Sequence, residues 1–177
     1  MGKILILVSL LPIAIYWLAR RFLGDGVLAK HGAVDCRISG ADFAAKLSYA
    51  GKLRQRLQEG RQASVLAEIA LLAAYEKLRA EQAQLVKWRI TVDLWGRLVL
   101  PFSLLIATFG IMAGRPASWC IGLAMAVNAM VAVLKWTTRG VAHFAAEKAI
   151  SMMSQARIPR QEDEAAVEAC IRAWTWR

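Results

Sequence analysis

The side chains of this 177-residue chain best suited to metal binding or nucleophilic attack are two histidines and three cysteines. His31 stands in a glycine-flanked stretch and His143 in an amphipathic one. Neither has a second His or a Cys at ligand spacing, so no local pattern assembles a four-ligand zinc site. Cys36, Cys120 and Cys170 include no Cys-x-x-Cys pair. A Gly-x-Gly-x-x-Gly run, a Walker-type phosphate loop and a Gly-x-Ser-x-Gly elbow are absent from the sequence. A haem or pigment held axially by His31 or His143 has no motif behind it. His143 reads as a packed or surface side chain, and His31 as an ordinary loop residue.

The elements that would carry such residues follow from composition. The chain is 58% hydrophobic, 20% charged and 8% aromatic, with mean hydropathy +0.40. That excludes a disordered chain, which cannot carry so much apolar surface. Three cysteines are too few for a disulfide scaffold. Net charge is +10, from 23 Lys and Arg against 13 Asp and Glu. Such a balance suits nucleic acid, an anionic surface, or the cytoplasmic loops of a membrane protein. The hydrophobic runs select the last.

Three runs are apolar enough for lipid. Ile4 to Ala19 carries no charge, and extended to Leu23 it spans a bilayer core of about 30 Å. Pro12 is tolerable in a membrane helix. Tyr16, Trp17, Arg20 and Arg21 stand where a cleaved signal peptide needs small residues, so the run reads as an uncleaved anchor. Leu98 to Ala113 and Ala117 to Leu134 flank the turn-forming Gly114-Arg115-Pro116, which predicts a transmembrane hairpin. Gly110, Gly114, Gly122, Ala124 and Ala126 suit close helix approach, and Asn128 suits an interhelical hydrogen bond. The segments expected are an anchor over 1–23, a cytoplasmic helical region over 24–97, the hairpin over 98–134 and cytoplasmic helices over 135–177.

Orientation follows from Lys and Arg beside the spans. Lys3 alone precedes the first; Arg20, Arg21, Lys30 and Arg37 follow it. The hairpin turn holds Arg115, whereas its other ends hold Lys87, Arg89, Arg97, Lys135 and Arg139. The N-terminus is therefore expected outside and the soluble helices inside. The excess is mixed in sign, with 13 basic and 8 acidic residues over 20–93, which argues against a nucleic-acid partner.

Between the spans, 24–38 reads as loop. Ser39-Gly40-Ala41-Asp42 opens a helix by a capping pattern, with Gly51 as its expected stop. Arg54, Arg56, Gly60 and Arg61 form a basic connector, read as a solvated loop near anionic headgroups. Residues 63–93 read as one long helix or two in series, with Leu66, Ile69, Ala70, Ala73 and Ala74 on one face. Lys77 and Glu81 are spaced for an i,i+4 ion pair. A helix over 136–154, a break at Ile158-Pro159 and a last helix through Trp174 complete an all-α integral membrane protein with one N-terminal span, a central hairpin and amphipathic helices.

The order of these pieces resembles the YugP-like family of bacterial membrane zinc metallopeptidases. The resemblance rests on Ser39-Gly40-Ala41-Asp42, on Ala73-Ala74-Tyr75-Glu76-Lys77-Leu78-Arg79-Ala80, on Val141 to Ala149, and on the C-terminal Ile158 to Glu164 followed by Ala173-Trp174-Thr175-Trp176. It implies a helix bearing His-Glu-x-x-His, with both imidazoles on one zinc and the Glu as general base. Here the histidine positions are Tyr75 and Arg79, and only Glu76 remains. The third-ligand position is Ala142 and the next acidic position is Phe144. His143 lies one residue off, about 100° around the helix. A phenol and a guanidinium cannot replace two neutral nitrogen donors. The family's strand-like stretch is replaced by only residues 51–62.

The resemblance thus implies a non-catalytic pseudopeptidase of the bacterial inner membrane, with neither metal nor cofactor and without a small-molecule substrate. Glu76 and Arg79 are expected to pair where the metal would sit. Seven Trp and small-residue helix faces suit an accessory or scaffolding subunit whose partners are membrane proteins of a larger complex and the lipid bilayer. The alternative is a residual zinc-dependent peptidase using Glu76, with metal held through His143 and Asp93.

Overall fold

The structure, a computed structural model, describes residues 2–156 and 161–176. It is all-helical: 84% of the described residues are helix and no strand occurs among them. In order the helices are α1 (Gly2–Ala19), a π-helical stretch (Arg20–Asp25), α2 (Gly26–His31), α3 (Gly40–Lys46), α4 (Gln55–Glu59), α5 (Ala63–Glu81), α6 (Ala83–Met112), α7 (Ala117–Thr137), α8 (Arg139–Ala156) and α9 (Gln161–Trp174). They pack as two compact units, one of Met1–Leu18 with Lys87–Arg139, the other of Ala19–Val86 with Gly140–Arg177.

The first unit holds α1, the apolar length of α6, and α7. Three helical runs, Gly2–His31, Ala83–Met112 and Ala117–Ala156, are long and apolar enough to cross a membrane. Their outer faces expose Leu, Ile and Phe side chains, Ile106 at 66% and Phe109 at 64%. Their inner contacts use small residues. Gly2 lies against the Ser118 carbonyl, Gly122 against the Gly2 carbonyl and Leu5, and Gly110 against the Cys120 sulfur. Asn128 Nδ2 donates to Ser103 Oγ at 2.7 Å and to the Ala124 carbonyl at 2.8 Å, which is the interhelical bond expected of it. The turn is also as expected. Gly114 adopts φ +79°, a left-handed conformation that glycine enters without a Cβ clash. The Arg115 amide then bonds to the Gly110 carbonyl at 3.0 Å, closing α6 with a Schellman motif.

In the second unit α5 is the spine. It lacks Gly and Pro and is rich in Ala, Leu and Glu, the strongest helix formers. Its buried face, Leu66, Ile69, Ala70, Ala73 and Ala74, shares one core with Phe43 and Leu47 of the α3 region, Ala146, Ala149 and Met153 of α8, and Val167, Cys170 and Ile171 of α9. Ser39 caps α3: its Oγ accepts from the Asp42 amide at 3.2 Å and donates to the Asp42 carboxylate at 2.6 Å.

Several boundaries differ from expectation. Residues 26–31 are helical rather than loop. The π-helical stretch brings Gly24 against Trp176 Cβ, an approach open to a residue without a side chain. Helix α3 stops at Lys46, not near Gly51. Ser48, at φ 54°, takes the left-handed position, and the Tyr49 amide reaches back to the Ala44 carbonyl at 3.0 Å. Inward packing of Leu47 and Tyr49 outweighs the glycine signal. The 63–93 region, by contrast, keeps to one of its two expected forms: two helices in series, broken at Gln82, φ −139°. The expected break at Ile158-Pro159 lies outside the described residues.

At Gly40 a Cβ would overlap the Leu57 carbonyl oxygen. Gly40→Ala is therefore expected to destabilise the second unit by about 1–3 kcal/mol. Leu66→Ala, at a fully buried position, should cost about 2–5 kcal/mol. Both are read as a lowered melting temperature, with faster thiol labelling of Cys36 and Cys170; an unchanged transition in both variants would contradict this core.

Candidate functional site

The residues singled out for chemistry lie near the end of α5 and the start of α8. These elements meet in a small apolar cluster of Leu78, Val86 and Ala145, with Tyr75 and Val141 against it. Tyr75 is half-buried and serves as packing. Glu76 and Arg79, on the other side of α5, are exposed. No ion pair joins them, contrary to expectation. Both side chains are exposed, and an exposed pair three residues apart gains too little to hold two flexible chains in one geometry. Glu81 likewise does not pair with Lys77. It binds Lys148 of α8 instead, tying the two helices together across a gap that local spacing could not reveal.

On α8, Ala142 is buried at 1% exposure, whereas Phe144 is 54% exposed. His143 is exposed and lies 3.7 Å from Glu147. Glu147 also faces Arg172 of α9 at 3.5 Å, and Arg172 binds Glu168 at 2.9 Å. His143 thus belongs to a surface charge network rather than to the side of α8 that packs inward. Asp93 lies in the other unit, 3.9 Å from Lys135. His31 ends α2 and is half-buried. Among the described residues no group of three His, Cys, Asp or Glu is arranged to hold a metal ion.

The sequence marks Cys36 and Cys170 only by the lack of a Cys-x-x-Cys partner. The structure buries both completely, at 1% and 0% exposure, in the core of the second unit. Burial pushes the Cys170 thiol up to about 11. Cys36 rises to about 11 as well, through burial first and then the negative charges of Asp163 and Asp35 and the neighbouring Cys170. Asp163 is itself buried, with one carboxylate oxygen unpartnered among the described residues. Thiols held protonated in this way are weak nucleophiles.

No family model, curated protein or solved structure matches this chain. Nothing in those comparisons links it to the YugP-like family.

The thiols give a pH prediction with a definite sign. Ordinary thiols titrate near 9.0, and these titrate near about 11. Below the ordinary value both folded and unfolded chains keep these protons, so the stability linked to them is fully present. As pH rises from 9 towards 11 the unfolded chain loses them first and the folded state loses stability. Near pH 8, labelling of Cys36 and Cys170 in the folded chain should be about 100-fold slower than in the denatured chain. Labelling at the denatured rate would contradict the burial.

Proposed function

We propose that this chain is a multi-pass membrane protein that works by binding rather than by catalysis, as an accessory or scaffolding subunit of a larger membrane complex. One observation carries the reading: the positions that would have to converge on a metal or substrate diverge. Tyr75 turns inward as packing, Glu76 and Arg79 face outward, Ala142 is buried and Phe144 is exposed. The apolar faces of α1, α6 and α7 leave lipid or partner helices as their natural neighbours. Seven tryptophans add large anchors of the kind favoured where protein meets lipid headgroups.

In this reading the N-terminus and the Arg115 turn lie outside, and the soluble helices lie in the cytoplasm. Support comes from the asymmetry of Lys and Arg around the spans. The motif order, with its metal-ligand positions replaced by Tyr75 and Arg79, supports the further reading as a pseudopeptidase of a bacterial inner membrane.

Two measurements test this. Arg115→Cys and Lys52→Cys, made in a Cys120→Ala background, should label from opposite sides: the first in intact cells with an impermeant maleimide, the second only after permeabilisation. Labelling of both from outside would contradict the topology. The chain tagged at its native level and extracted in gentle detergent should bring down membrane proteins in fixed stoichiometry. Glu76→Gln should leave that recovery unchanged within about twofold, a polar swap on an exposed surface. A lone chain whose peptide hydrolysis is abolished by the same substitution would overturn the reading.

A further inference from the structure

The segment between Arg37 and Arg61 carries charge that no described side chain of the second unit pairs with. It holds six cations, Arg37, Lys46, Lys52, Arg54, Arg56 and Arg61, against two acids, Asp42 and Glu59. All six cations are exposed. Among the described residues none of them makes an ion pair or a side-chain hydrogen bond, while ion pairs elsewhere in the unit join Lys148 to Glu81 and Arg172 to Glu147 and Glu168. Both acids are already engaged locally: Asp42 accepts from Ser39 at 2.6 Å and Glu59 from Gln55 at 3.0 Å. Neither is left to neutralise a neighbour.

The backbone holds this charge in one place. The two ends of the segment are stitched together, the Cys36 amide to the Arg61 carbonyl at 2.8 Å and the Gly40 amide to the Gly60 carbonyl at 2.9 Å. Phe43, Leu47 and Leu57 anchor its inner side in the core, with Tyr49 and Leu53 packed against it. The Gln58 side chain ties down the Leu53 carbonyl at 3.0 Å. The cations therefore project from a braced excursion rather than a loose tether.

We propose that this excursion is a peripheral docking surface for anionic phospholipid headgroups. The inference rests on the membrane reading above and extends it to a named lipid class. Arginine and lysine recognise phosphodiester oxygens by charge-assisted hydrogen bonds, and a cluster of cations that follows an apolar run in the chain, as this one follows Gly2–His31, is a signature of an anionic-leaflet contact. Between Arg37 and Arg61 no large apolar side chain is exposed, so the contact is with headgroups, without insertion. The same fact separates a lipid surface from single-stranded nucleic acid. Base stacking needs exposed aromatic rings, and here Phe43 is fully buried and Tyr49 packs against the core.

The test uses the full chain in nanodiscs of phosphatidylcholine alone, or with about one-third phosphatidylglycerol. Backbone hydrogen exchange is read over residues 48–56. Exchange should be at least about threefold slower in the anionic discs, and the protection should vanish at about 0.5 M salt, where the screening length falls to a few ångströms. Lys52→Gln/Arg54→Gln/Arg56→Gln should abolish the protection while leaving exchange in α5 unchanged. Equal exchange in the two lipids, or protection that appears only when RNA is added to neutral discs, overturns the proposal. A chain that stays in solution without detergent and enters neither disc overturns the membrane reading itself.

Discussion

Apolar surface without a protein partner is the constraint on which everything else depends. The most apolar windows of the Gly2–His31 and Ala83–Met112 runs are only 11% buried within the protein, and that of the Ala117–Ala156 run 22%. In water such exposure would drive aggregation; in lipid it costs nothing, and the burden shifts to polar groups. The first unit meets that burden. Asn128 is bonded to Ser103 and to its own helix. Thr108 and Ser103 return their hydroxyls to carbonyls of their own helix. At the end away from the Arg115 turn, Lys135 faces Asp93 and the Tyr16 ring, and Arg89 donates to the Thr138 carbonyl at 3.2 Å. From Asp93 to Met112, where α6 ends, the helix rises about 29 Å at ~1.5 Å per residue, close to the ~30 Å of a hydrocarbon core. The ion pair and the turn are thus separated by one bilayer thickness.

Helix association inside lipid cannot rely on the hydrophobic effect, because lipid tails are as apolar as leucine. Close packing takes its place, and the contacts of Gly2, Gly110 and Gly122 are where backbones approach. The second unit obeys the opposite rule. Its core is built from alanine and medium apolar residues around α5, and burial from water supplies the stabilisation at about 25 cal/mol per Å² of apolar surface. One chain therefore runs two stabilisation regimes.

Much of this was legible in the residues themselves. The apolar runs, the Gly114 turn, the Ser39 cap and the Asn128 bond follow from local chemistry, since period, capping and turn signals act over a few residues. What stayed hidden depends on tertiary neighbours. Gly24 and Gly26 signalled loop but lie in or beside a helical stretch because Trp176 packs against Gly24. Ser48 ends α3 in place of Gly51 because Leu47 and Tyr49 are drawn into the core. Glu81 chose Lys148, 67 residues away, over Lys77 at helical spacing. The candidate site was the least legible part. Which way Tyr75, Glu76 and Phe144 point is set by what α5 and α8 pack against, and sequence spacing gave only their relative angles.

The account comes down to where the exposed apolar helices reside. Five of the seven tryptophans, Trp17, Trp88, Trp95, Trp119 and Trp136, lie in the unit built from those helices; Trp174 and Trp176 do not. Quenching of tryptophan emission by lipids brominated along their acyl chains tests this directly. With the chain reconstituted in such bilayers, most of the emission should be lost, and a variant keeping only Trp174 and Trp176 should retain its emission. Emission unaffected by the brominated lipids in the full chain would contradict the account.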